Sequence, residues 1–205
     1  AEFYDHIVAA IRMRYMILPY LYSIAAEVHA NDYSFLRPLF FEFPEDHKAY
    51  DISDQFFLGP SLMVCPVTEA MYYGPGSQTL SGTAFTRKVY LPVGSDWYDF
   101  RTGDKYRGGT MIDADAKIDR IPVFVKAGAI LPICRNEVAN TYDHKLLALL
   151  VYPGKDCTFR YYDDNGDGEF DVGGFTEIRW IDGIQRIENS AGFDEVVIVQ
   201  AGKMP

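Results

Sequence analysis

From Arg14 to Val67 the chain reads RYMILPYLYSIAAEVHANDYSFLRPLFFEFPEDHKAYDISDQFFLGPSLMVCPV. Residues 3–30 read as a helix that Asn31 and Asp32 end. Between Tyr15 and Val28 its apolar residues leave no polar stripe, and a helix apolar all round is normally covered on every side. Pro19 lacks the N–H and crowds the Tyr15 carbonyl, so a kink is expected there. Phe35 to Phe43 (FLRPLFFEF) reads as a strand without alternation, the pattern of a parallel strand buried on both faces. Arg37 in such a strand needs a buried acceptor, and Pro38 marks a strand end or irregularity. Helix, loop and strand in this order form the repeat of an α/β barrel or layered sheet. Such a pair belongs inside a large structure, yet here it opens the chain. The chain is therefore expected to be a piece of something bigger, or its first 45 residues lack partners.

After Pro44 the pattern changes. Asp51 to Leu58 allows one helical turn, and short candidate strands follow: Ser61–Thr68, Arg87–Leu91, Asp96–Phe100, Thr110–Asp113, Val123–Ala127 and Ala129–Ile133. Turns rich in Gly and Pro separate them, which suggests an antiparallel sandwich. Asn136 to His144 reads as a polar connector. A second β-set follows it: Leu146–Tyr152, Cys157–Tyr162, Phe175–Ile181, Ile184–Ile187 and Glu195–Gln200. Tight turns at Pro153-Gly154 and Asp182-Gly183 fit hairpins. The reading is thus mainly β: a long helix and a strand, then two antiparallel β-sandwich units with a boundary near residue 135.

The net charge of −10 argues against nucleic acid, which is bound by neutralising phosphates with Lys and Arg, and against an anionic membrane surface. A neutral sugar is compatible with it. No apolar run reaches the length of a membrane span, and residues 1–13 carry no secretory signal pattern. The chain does not begin with Met, so its natural N-terminus is expected elsewhere and the compartment stays open; a periplasmic or secreted parent is compatible. The cysteines, Cys65, Cys134 and Cys157, are odd in number and widely spaced, fitting buried thiols rather than a disulfide framework or a zinc site.

Three constellations could carry chemistry. Asp163-Asp164-Asn165-Gly166-Asp167-Gly168 places Asp163, Asn165 and Asp167 at the first, third and fifth positions of a calcium loop. The twelfth position is Gly174 instead of a bidentate glutamate, and a hairpin tip rich in turn formers is the competing reading. Glu42, Asp46 and Asp54 stand at the end of the candidate buried strand, where a glycosidase would hold its pair of carboxylates; Asp46 and Asp54 fit loop solvation or a helix cap equally well. Trp97-Tyr98 and Tyr161-Tyr162 could stack on sugars, but adjacent strand residues face opposite ways and core packing is the plainer role. The histidines, His6, His29, His47 and His144, lack metal-ligand spacing.

Six ordered blocks carry a resemblance: RYMILPYLYS, RPLFFEFPED, DQFFLGPSLMVCPV, VYLPVGSDWYDFRTG, IPVFVKAGAILP and YPGKDCTFRYYDDNGDG. From about Arg14 to about Gly174 the chain resembles the C-terminal part of glycoside hydrolase family 31. The resemblance implies that residues 1–45 are the last helix and strand of a (β/α)8 catalytic barrel, 46–134 a proximal β-sandwich domain and 135–205 a distal one. It implies a parent that is a retaining α-glycosidase working through two aspartates. Both would lie upstream of this chain, so no catalytic or substrate-binding role passes to any residue here, and the fragment alone is expected to be inactive. Calcium at Asp163, Asn165 and Asp167 is the one cofactor in question.

The blocks most resemble bacterial α-xylosidases of xyloglucan breakdown, with α-glucosidase the close alternative. A reading from another class is a stand-alone carbohydrate-binding sandwich, against which the all-apolar helix argues. The implied partners are the parent's own catalytic barrel and, through it, an oligosaccharide. Self-association of the chain, or folding of the helix back onto the sandwich, is expected from the apolar surface of Phe3–Phe43.

Overall fold

The structure, a computed structural model, describes residues 3–82, 84–135, 146–164, 169–170, 172–190 and 192–200. Two helices open the chain, α1 (Tyr4–Met16) and α2 (Leu18–Asn31), bent by 56° at a break on Ile17. The break is two residues before Pro19, not at it. Pro19 sits in the first turn of α2, where a missing N–H leaves no hydrogen bond unmade. Asp32 ends α2 in the left-handed conformation, φ 54°. The helix apolar all round is not covered all round: α2 buries Pro19, Tyr20, Ser23, Ile24 and Ala26 on one face, and α1 buries no residue.

The nine-residue strand expected at Phe35–Phe43 is only three residues long. β1 (Leu36–Pro38) pairs antiparallel with β2 (Phe56–Leu58), and Leu39–Glu42 turns into a short helix, α3. Pro38 has no N–H to continue a ladder, and it caps α3 with an extended ψ of 157°. The run Leu39-Phe40-Phe41 is thus one helical turn, with Leu39 pointing inward at 0% exposure. The helical turn expected at Asp51–Leu58 falls earlier, as a 3-10 turn at His47–Tyr50.

β1 and β2 belong to a six-stranded sheet with β3 (Leu62–Val64), β5 (Trp97–Asp99), β6 (Lys105–Tyr106) and β8 (Val123–Lys126), in the order β1-β2-β3-β8-β5-β6. β4 (Thr86–Leu91) and β7 (Thr110–Asp115) pair as a separate ribbon. β9 (Ala129–Cys134), β10 (Leu147–Tyr152) and β14 (Glu195–Ile198) form a third sheet, and β11 (Cys157–Tyr162), β12 (Phe175–Ile181) and β13 (Arg186–Glu188) a fourth. All these pairings are antiparallel except β10–β14, which is parallel.

Strand alternation divides the six-stranded sheet between two cores. Met63, Trp97 and Phe124 point one way, onto Val89, Leu91 and Ala114 of the β4–β7 ribbon. Their neighbours Leu62, Tyr98 and Val125 point the other way, into a larger core with Tyr20 and Ile24 of α2 and Ile130, Leu149, Phe159, Ile178 and Trp180 of the remaining sheets. That core runs from Ile17 to Val199. β9 pairs along its whole length with β10, from Leu147↔Cys134 to Tyr152↔Ala129, so the third sheet draws on residues from both sides of position 135.

Gly59 is where α2 meets the sheet. It has φ +64°, and a Cβ there would lie 2.2 Å from Ile24 Cδ1 and 2.7 Å from the Tyr20 hydroxyl. The Tyr20 hydroxyl donates to the Leu58 carbonyl at 2.8 Å and accepts from the Ser61 N–H at 3.1 Å. A buried phenol satisfied in this way fixes the helix against the β2–β3 turn.

Candidate functional site

The three carboxylates that follow β1 are each engaged in holding the fold. Glu42, at the end of α3, meets Arg37 at 2.6 Å and Lys126 at 3.7 Å. Arg37 thereby finds the acceptor its place demanded, and it also donates to the Tyr33 hydroxyl at 2.6 Å. Asp46 is 5% exposed; it accepts from the Tyr90 hydroxyl at 2.7 Å, the Val93 N–H at 2.9 Å and the Lys48 N–H at 3.2 Å. Asp54 pairs with the buried Arg87 at 2.7 Å. A carboxylate bound to this many fixed donors is poorly placed to attack or to shuttle protons.

The aromatic pairs considered as sugar platforms are core. Trp97, Tyr98, Tyr161 and Tyr162 are all buried, and the Trp97 indole N–H donates to the Pro92 carbonyl at 3.0 Å. Cys65 and Cys134 are buried and Cys157 is half-buried, all three as free thiols. Burial pushes the Cys65 thiol up to about 12 and the Cys157 thiol up to about 11, which keeps both protonated and unreactive. His29 stacks edge-on against Phe170 at 4.6 Å.

Of the calcium-loop candidates, Asn165 and Asp167 lie outside the described residues. Asp163 accepts from the Asp164 N–H at 3.1 Å, and its own N–H donates to the Gly174 carbonyl at 3.1 Å. The neighbouring Asp164 carboxylate accepts from the Tyr22 hydroxyl of α2. Among the described residues no three His, Cys, Asp or Glu side chains gather closely enough to hold a metal.

What the fold does present is an apolar surface. Tyr4, Ile7 and Ile11 stand 63%, 59% and 50% exposed on α1, at a spacing that puts them on one helical face. Leu36 on the edge strand β1 and Phe41 on α3 are likewise exposed. A single exposed apolar residue needs no explanation, but a row of them along one helix marks a contact surface. Residue-by-residue hydropathy concealed this stripe, because the apolar signal is stronger in α2 than in α1.

The chain is similar to known proteins in sequence and in fold. The family described as "Glycosyl hydrolase family 31 C-terminal domain" matches residues 32–131. An alpha-xylosidase of Saccharolobus solfataricus is 38% identical over 166 residues, covering 80% of this chain and 21% of that protein. Alpha-glucosidase 2 of Bacillus thermoamyloliquefaciens is 29% identical over 168 residues, covering 80% and 20%. The crystal structure of a GH31 alpha-xylosidase from Xanthomonas citri superposes with a TM-score of 0.81 at 33% identity, over 99% of this chain and 22% of that one. The chain spans about one fifth of the length of these relatives.

Proposed function

The chain belongs to glycosyl hydrolase family 31 by its C-terminal domain, and from that premise we propose that it is the non-catalytic C-terminal part of a retaining α-glycosidase. The parent hydrolyses terminal α-xylosides of the xyloglucan type through two aspartates carried on an upstream barrel; an α-glucosidase is the alternative, favoured by the similarity to Alpha-glucosidase 2. The observation that carries the reading is the engagement of Glu42, Asp46 and Asp54 in structural bonds, which gives each of these three carboxylates a role in holding the fold.

Residues 1–45 then serve as the join. The Tyr4, Ile7, Ile11 face of α1 packs on the catalytic barrel of the parent, while α2 anchors the join to the β-sheets through Tyr20, Ile24 and Gly59. Residues 46–134 and 135–205 correspond to the proximal and distal domains of the family, sharing the core between the six-stranded sheet and β9–β12. Without the barrel, the same face of α1 drives self-association. Calcium at Asp163, Asn165 and Asp167 is held open to a melting test with and without chelator, since a metal bound only to the folded state raises stability.

The test is the upstream reading frame. It is expected to encode a WxDMNE-like segment with one catalytic aspartate and a second aspartate beyond it. The protein extended to include them should cleave nitrophenyl α-xyloside faster than nitrophenyl α-glucoside. The reverse preference would move the parent to the α-glucosidases, and an upstream frame without both aspartates would sink the proposal.

A further inference from the structure

A cleft of about 410 Å³ opens at one end of the six-stranded sheet, between the loop after β4, the β5–β6 hairpin and the turns after β8 and β10. Its rim carries Lys105, Arg107 and Lys155 with the carboxylate Asp96, and the Asp182 carboxylate accepts from the Gly154 N–H at 3.3 Å. Lys105 is paired with Asp96 at 3.1 Å. Arg107 and Lys155 are exposed and have no counter-ion among the described residues. The chain as a whole carries 29 acidic residues to 19 basic ones, so three cations around one cleft, even with Asp96 and Asp182 beside them, run against its composition.

The walls are fixed. Gly108 lies so close to the loop after β4 that a Cβ would sit 2.1 Å from the Ser95 carbonyl oxygen and 2.6 Å from that of Pro92. Gly154 is as tight against the other wall, where a Cβ would meet the Ala127 side chain at 2.7 Å. Only glycine lets these backbones touch, and the contact holds the cations on two walls of a preformed space. Lys126, next to Ala127, lies behind one wall. Burial, and with it the positive charges of Lys155 and Arg37, holds its ammonium below the usual lysine range against the pull of Glu42.

We propose that this cleft binds a small oxyanion, through Arg107 on one side and Lys155 on the other. The planar guanidinium suits two oxygens of a carboxylate or phosphate, and the lysine supplies a point charge. The group reaches the cleft either as the carboxylate of an acidic sugar or as phosphate.

Calorimetric titration of the 205-residue chain with sodium glucuronate, inorganic phosphate and xylose tests it. Binding of one or both anions in the millimolar range or tighter, weakening as sodium chloride is raised, supports the site and tells the acidic sugar from phosphate. Xylose should give no saturable heat. The double variant R107Q/K155Q touches no described side-chain partner, so its melting temperature should be unchanged while anion affinity falls by at least about tenfold. The milder single variant K155Q should fall part of the way. No saturable anion binding, equal binding of xylose, or full affinity in the double variant would each overturn the proposal.

Discussion

The carboxylate of Asp46 accepts a 2.7 Å hydrogen bond from the Tyr90 hydroxyl, across 44 positions of sequence, with both side chains almost wholly buried. The same oxygen accepts from the Val93 N–H, so one acidic group ties the segment after α3 to the end of β4. Asp46 is one of the residues that a search for glycosidase carboxylates selects, and this geometry makes it structural. Asp46→Ala should leave the Tyr90 hydroxyl and the Val93 N–H buried without partners and cost about 2–4 kcal/mol. Tyr90→Phe removes one donor and should cost less, about 1–2 kcal/mol. Urea unfolding of the two variants checks the order; equal stability of Asp46→Ala and the unaltered chain would refute the structural role.

Gly59→Ala tests the anchoring of α2. The new methyl meets Ile24 and Tyr20 well inside contact distance, at a positive φ that alanine adopts poorly. A loss of about 2 kcal/mol or more is expected. Near-UV circular dichroism should report a loosened environment of Tyr20, and a variant as stable as the parent chain would show that α2 does not depend on this contact.

Much of this was legible in the sequence. Apart from β6, which falls inside the stretch RTGDKYRGG read as a turn, the strands from β4 to β12 lie close to where short apolar runs bounded by Gly and Pro turns put them. Trp97 and Tyr98 illustrate strand alternation: adjacent in sequence, they serve different cores. The errors come from proline and from distance. Pro38 ends a strand that its apolar neighbours are read as continuing, whereas the kink expected from Pro19 is present as a 56° bend at Ile17. The parallel pairing of β10 with β14 has no local signature, since nothing in either strand names its partner. Asn165 and Asp167 lie outside the described residues, so the calcium reading stands on sequence. Arg107 and Lys155 sit in unremarkable turns, RTGDKYRGG and PGKD, and only the fold brings them to one cleft.

Alkaline pH should unfold the chain. Burial, reinforced by the Asp46 carboxylate, pushes the Tyr90 phenol from 10.0 up to about 12. Burial also raises the phenols of Tyr20, Tyr152 and Tyr161. The folded state prefers these groups protonated. Their contribution is therefore complete below pH 10.0 and is lost as pH rises through about 12. Tyrosinate absorbance followed alongside circular dichroism should show the buried phenols ionising together with unfolding; their free ionisation near pH 10.0 in a folded chain would contradict the burial assigned to them.

The α1 face predicts behaviour in solution. Ile7→Glu with Ile11→Glu puts charge into the exposed stripe without touching a buried residue. The double variant should run smaller than the unaltered chain on light scattering, with a melting temperature that changes little. An unaltered chain that is already monomeric at high concentration would remove the basis for this surface as a joint.

The central claim is that bond cleavage resides elsewhere in the parent. Incubating the purified chain alone with nitrophenyl α-xyloside and nitrophenyl α-glucoside tests it most directly. The account predicts no nitrophenol above the blank; release that persists at constant specific rate through successive purification steps would contradict it.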